Sequence, residues 1–389
     1  MKGDVVWRGL AWAVTPVHIG GGQQWTKQDY VIQDGQLCRI DPARIVAGMG
    51  EARRRQFEQA VDRGDLQAAD RILKEAVRDA DILERIPLGP ASHEALKDAQ
   101  TNPRRWGEVT PFIRTGDRPF IPGSSIKGAI RTALLSATVA EKGVPAARAA
   151  IQNAGRGAAD ALQRWAFAYG PGRTEQDPFR FVEVADVPLP EGATRIDRVR
   201  NWHPEKGESK KIQMHHERLL ASCDDGPAPR FEVEVRIDIG RLNECRARDG
   251  NRAPPFELDA AALRRALDDF YWTRFDAEVK RFFVGEPTEQ FLQALFRIKL
   301  GARMFGPKEL RESDRFLLLR LGRFNQFESK SVDGIRRGWN PQARKAIAEG
   351  GTRNVIAVRP NRFPQLRRYG EIFLPLGWVL VWLRETIHG

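Results

Sequence analysis

The chain reads as an α+β protein, and three observations carry that reading. Residues 231–239 (Phe-Glu-Val-Glu-Val-Arg-Ile-Asp-Ile) alternate apolar and charged side chains without a break, the period of a half-buried strand. Stretches with few breakers, among them Arg71-Ile-Leu-Lys-Glu-Ala-Val-Arg78, carry helical spacing. Strands and helices alternate along the chain, yet nothing forms the long run of repeats that a parallel sheet requires. The expected architecture is two small β-sheet units with helices on one face.

Residues 4–14 are rich in strand formers and stop at Thr15-Pro16, which predicts an N-terminal strand. A glycine turn, His18-Ile-Gly-Gly-Gly22, leads to a second strand pattern, Tyr30 to Ile40, that reverses at Asp34-Gly35. Helical patterns cover 42–86 and 145–169, and 119–139 reads as strand, turn and helix. Residues 177–186 predict a strand, and the polar, basic stretch 190–218 a projecting loop or hairpin. Residues 258–284 and 287–304 predict helices, and 371–384 a strand interrupted by glycine.

At 389 residues, length alone suggests two or three compact units, and the net charge is +12. Residues 320–368 hold twelve Lys/Arg against three acids, with Phe324, Phe327, Trp339 and Phe363 interleaved. Such a block is either a polyanion footprint with stacking surfaces or a solvated basic face. Three scattered cysteines (Cys38, Cys223, Cys245) with no C-x-x-C argue against a disulfide scaffold or zinc finger and fit a reducing cytosol. No apolar stretch approaches a membrane span, and Met1-Lys-Gly-Asp-Val-Val-Trp7 lacks a signal-peptide core, so a cytoplasmic location is expected.

The run Arg118-Pro-Phe-Ile-Pro-Gly-Ser-Ser-Ile-Lys-Gly-Ala-Ile-Arg131 is the most informative. Ser124 or Ser125 is the expected N-cap, because a hydroxyl accepts from an orphan amide of the first turn. The start of the helix presents N–H groups and a positive dipole end, which suit a phosphate. Lys127 and Arg131 are four apart and share a face, and Gly128 leaves room for close approach. The run is either an anion-gripping helix start or an ordinary capped helix. It is not a P-loop: the lysine precedes the second glycine and no Ser/Thr follows to hold magnesium. An ATPase is excluded, and no cofactor is expected.

Candidates for catalysis are few. His18 could act as general base, stack on a nucleobase, or close its turn on backbone. Asp29 is the only carboxylate in the loop Gly20 to Tyr30. It could hold magnesium for phosphodiester cleavage, or serve as a turn residue. His215-His216 lacks a carboxylate or cysteine partner at metal-like spacing, so no metal site is expected.

Four segments stand in order: Thr15-Pro-Val-His-Ile-Gly-Gly-Gly22, Ile121-Pro-Gly-Ser-Ser-Ile-Lys-Gly128, Asp177-Pro-Phe-Arg180 and Pro375-Leu-Gly-Trp378. Together they resemble the RAMP superfamily of CRISPR-associated proteins. Tyr30, Arg39-Ile40-Asp41 and the closing Leu-Gly-Trp make the chain most similar to the type III-A subunit family that caps the guide-RNA 3′ end. The resemblance implies a ferredoxin-like, RNA-recognition-motif-like core, in two such units. One would span 1–189 with a helical insertion at 42–110. A thumb-like hairpin at 190–218 would follow, then a second unit at 219–389 carrying the basic segment 320–368.

The implied role is a non-catalytic guide-RNA-binding subunit that meets target RNA and docks on the repeated backbone subunit of its complex. The alternative is a metal-dependent endoribonuclease using Asp29. The residues expected to meet RNA are His18, Gly20, Gly21 and Gly22 in the glycine turn, and Ser124, Ser125, Lys127 and Arg131 at the helix start. Arg180, Arg198, Lys210 and Lys211 follow, with Lys330, Arg336, Arg337 and Arg353 from the basic segment.

Overall fold

A computed structural model describes residues 4–102, 104–105, 107–248, 260–285, 287–336, 338–340, 345–347 and 350–388. Five antiparallel strands form one sheet in the order Phe316–Arg320, Trp378–His388, Val5–Ala13, Arg230–Ile237, Val182–Val184. Arg230–Ile237 buries every second side chain, as its alternation predicts. Helices Gly123–Lys142 and Ala260–Phe282 cover one face. Ile126, Ile130 and Leu267 meet Trp7, Val233, Val235 and Leu317 there around a void of about 20 Å³.

The expected division at 189/190 and 218/219 does not follow this sheet. Val5–Ala13 lies between Arg230–Ile237 and Trp378–His388, so both ends of the chain build one layer. Five consecutive residues, Gly9 to Ala13, are buried, and backbone N–H and C=O groups held away from water need partners on both edges of the strand.

A second sheet runs Ile372–Pro375, Arg353–Val358, Thr194–His203, Gly207–Leu219, Val109–Thr110, with only the last pair parallel. The segment expected to project is thus a hairpin whose base is the middle of a sheet. Arg218 is fully buried there, with Nε 2.8 Å from Asp197 and Nη2 2.7 Å from Asp224. Burial opposes ionisation of Asp224, yet the Arg218 guanidinium holds its carboxyl below the usual range. Charges this deep persist only when paired, because an orphaned one costs several kcal/mol.

Local structure departs from the simple runs in five other places. The pattern at 42–86 gives helices Pro42–Gly48, Glu51–Asp62 and Leu66–Glu75, but Ile82–Pro87 adds a strand to the Tyr30–Ile40 hairpin. The run 287–304 is helical only to Leu295 and closes as a small hairpin, Ile298–Leu300 with Arg303–Phe305. Residues 145–169 split into Val144–Ile151 and Ala158–Phe167, and Pro178–Phe181 is a 3-10 turn before the strand at Val182. Gly377, at φ 104°, divides 371–384 into strands of different sheets.

Candidate nucleic-acid interface

Two of the four sequence segments bond each other directly, and Asp177 of a third is tied to the helix that the remaining one opens. The Gly377 N–H donates to Pro16 O at 2.8 Å, and the Trp378 N–H to Thr15 Oγ1 at 3.1 Å. Gly377 O in turn accepts from Leu321 N–H at 2.8 Å, and a Cβ on Gly377 would crowd the Leu321 carbonyl. The second pair is Arg131 with Asp177: Arg131 Nη1 lies 2.8 Å from one carboxylate oxygen and 3.1 Å from the other. Asp177 also accepts from Phe179 N–H and so caps the 3-10 turn of its own motif.

Between these pairs lies a cavity of about 370 Å³. Gly20 and Gly22 form one wall, and Ser124, Ser125, Gly128 and Thr132 of the helix a second. The third comes from Arg320, Gly322, Arg323, Asn325 and Lys330. Among the described residues lining it, none carries a carboxylate. Lys330 Nζ reaches Arg323 O at 3.4 Å, and burial of that amine, with Arg320 and Arg323 close by, pushes it below the usual lysine value. Arg320 is neutralised by Glu278, so Arg323, Lys330 and a helix N-terminus are the groups around this hollow that favour an anion.

The helix itself starts differently from expectation. Pro122 is the N-cap, neither serine caps, and Asp186 Oδ1 accepts from Gly123 N–H at 2.7 Å. A Cβ on Gly123 would overlap the Val184 carbonyl, so the helix begins pressed against the sheet edge. Ser124 and Ser125 stay in the first turn as cavity lining.

Several expected RNA contacts are engaged inside the protein. Arg131 donates to Asp177, Gln163 and Tyr169, and its guanidinium lies 4.9 and 4.7 Å from the rings of Phe167 and Phe179. It clamps the fold. Lys127 shares that side of the helix; burial, opposed by Asp177 and reinforced by Arg131, lowers its pKa. Arg353 is 4% exposed and pairs with Glu278 at 2.7 Å and Glu328 at 3.1 Å. Arg320 joins the same Glu278 at 2.8 Å. The basic block 320–368 is therefore partly a buried ion network and not a uniform footprint.

His18 is 1% exposed, and its Nδ1 lies 2.6 Å from Glu217 O. Burial lowers its pKa to about 4, so it is a neutral core residue, neither general base nor stacking platform. His215 bonds Ser92 Oγ at 2.9 Å, and His216 stacks 4.5 Å from His18. Asp29 accepts from the N–H and hydroxyl of Thr26 at 2.7 and 2.9 Å, which makes it a turn residue. Gly21 and Arg180 are exposed, Arg198 is half-buried beside His215, and Arg336 bonds Ser331 and Asp333. The side chains of Lys210 and Lys211, and all of Arg337, lie outside the described residues.

Arg320 and Arg323 were counted in the basic block but not singled out for the site. Their signal was present: an apolar strand, Phe316 to Leu319, runs into Arg320-Leu-Gly-Arg323, a second glycine turn of the kind at Gly20–Gly22.

The chain is 25% identical over 294 residues to the CRISPR-system protein Csm5 of Streptococcus thermophilus, covering 73% of this chain and 78% of that one. It is 30% identical over 128 residues to Csm5 of Methanocaldococcus jannaschii, 31% and 28% of the two chains. In fold it matches a chain of the type III-A Csm–crRNA–target RNA ternary complex, with a TM-score of 0.64 at 18% identity and coverage of 99% and 100%. It also matches Csm5 of T. onnurineus, with a TM-score of 0.57 at 20% identity and coverage of 95% and 99%. The RAMP superfamily pattern runs from residue 13 to 303, taking in the glycine turn, the helix start that faces it and the Arg131–Asp177 clamp, and by that match the chain belongs to the RAMP superfamily.

Proposed function

We propose that this chain is a non-catalytic guide-RNA-binding subunit of a type III-A CRISPR effector complex acting in cytoplasmic antiviral defence. It would hold the 3′ region of the guide, meet target RNA, and dock on the repeated backbone subunit. The observation that carries the reading is the carboxylate-free cavity where Ser124 and Ser125 face Gly20 and Gly22 beneath Arg323 and Lys330. Such a site grips phosphate without reading bases, as a guide of any sequence requires. The likeness to Csm5 proteins supplies the biological setting. We also read the first sheet as a ferredoxin-like core: the strand order of Trp378–His388, Val5–Ala13, Arg230–Ile237, Val182–Val184, with two helices on one face, supports it. The exposed hairpin tip at 204–206 supports a thumb role.

The test is reconstitution of the complex with end-labelled guide. Arg323→Glu with Lys330→Glu is expected to leave the guide 3′ end open to trimming by added exonuclease. Equal protection in variant and wild type would reject the site.

A further inference from the structure

A second hollow of about 1030 Å³ opens beside the first. The two share Gly128, Thr132 and Lys330, so they form one continuous groove along helix Gly123–Lys142. The far part is walled by Leu135, Ile151 and Leu162 on one side and by Phe327, Val332 and Ile335 on the other. Arg131, Arg148 and Arg336 stand along it, and among the described lining residues there is again no carboxylate. Arg148 donates to Gly334 O at 2.7 and 2.9 Å, fixing the 327–336 loop against helix Val144–Ile151. The groove is therefore a held shape and not a gap between loose segments.

Resting on the function proposed above, we infer that this far groove carries the nucleobases of the same single-stranded RNA whose phosphate sits in the near cavity. Arg131 and Arg336 are held by Asp177 and Asp333, so Arg148 and Lys330 supply the charge that favours a polyanion, and an apolar wall beside them suits base faces, which stack without regard to sequence. A polypeptide would be drawn by the wall alone and gain nothing from the charge unless it were strongly acidic. The strand passes Gly128, Thr132 and Lys330, the residues that both hollows share. A Cβ at Gly128 meets no atom within 4 Å, so the chain leaves this point of the groove open.

The full-length chain, titrated with fluorescein-labelled oligouridylates of four and ten nucleotides, tests this by anisotropy. Wild type is expected to bind the longer strand at least about tenfold more tightly, the gain of roughly one stacked base. Ala159→Glu and Ile335→Glu each charge the far groove at residues that do not line the near cavity. Each is expected to abolish the length gain while leaving four-nucleotide binding and the thermal midpoint unchanged. A length gain that persists in both variants overturns the inference. Displacement by polyglutamate in preference to oligouridylate of equal charge would mark the groove as a protein site and overturn it as well. Arg323, which lines only the near cavity, separates the two readings. If Arg323→Glu leaves four-nucleotide binding intact, the phosphate site fails, whereas the length series still reports on the groove.

Discussion

The backbone of Gly322 passes so close to the His18 carbonyl that a Cβ at 322 would overlap it, and the Arg323 N–H bonds that carbonyl at 2.8 Å. The buried end of the glycine turn thereby fixes the loop that carries Arg323 and Lys330 to the cavity.

Gly322 sits at φ +92°, so Gly322→Ala meets both backbone strain and overlap. A loss of about 2–4 kcal/mol is expected in urea unfolding, with weaker RNA binding. A change below about 0.5 kcal/mol would show that this close approach is not obligatory.

Glu278 is 2% exposed and holds three partners: Arg320 and Arg353 through Oε1, at 2.8 and 2.7 Å, and Trp378 Nε1 at 2.9 Å from Oε2. Glu278→Gln leaves buried Arg320 without its counter-charge and Arg353 with Glu328 alone, and a loss of about 3–5 kcal/mol is expected from the denaturation midpoint. Adding Arg353→Met to it should recover part of that loss.

Acid should weaken the fold through its histidines. Burial is the main cause that lowers His18 and His215 to about 4 and His216 to about 2, the last helped by His18. These values lie below that of an unfolded histidine, so the unfolded chain takes protons that the folded chain refuses. Stability is full above about pH 6.5 and falls as pH drops toward 4, on the order of 2 kcal/mol for each of His18 and His215. Urea midpoints measured from neutral pH down to 4 check this. His216→Phe, which keeps a ring against Phe324, should flatten the fall.

How much of this was legible depends on the range of the interaction. Val5–Ala13, Arg230–Ile237 and the turn at Asp34-Gly35 announce themselves locally, by alternation or by turn chemistry. The helix at Gly123 was legible too, but its cap was not. The serines looked like caps, while the group that takes the first amide is Asp186, on a distant loop. Arg131 and Arg353 show the same limit. An arginine of the core and an arginine of the surface have the same letter, and only Asp177 and Glu278, far along the chain, distinguish them. The expected boundaries cut across a sheet that local pattern could not reveal, because its neighbours such as Trp12 and Leu380 lie hundreds of residues apart.

Asp29→Ala should not alter the positions at which the assembled complex cuts target RNA. Its carboxylate closes a turn on Thr26, so the expected cost is about 1 kcal/mol of stability. Loss of one cut from the ladder of products would restore Asp29 as a metal ligand.

The most direct measurement is the salt dependence of single-stranded RNA binding by the full chain, wild type against Arg323→Glu with Lys330→Glu. Wild-type affinity should fall steeply with salt, and the double variant should bind at least about tenfold more weakly with a slope shallower by roughly two phosphate contacts. Identical slopes for the two proteins, with Arg131→Ala alone weakening binding, would contradict the account and move the RNA to another face.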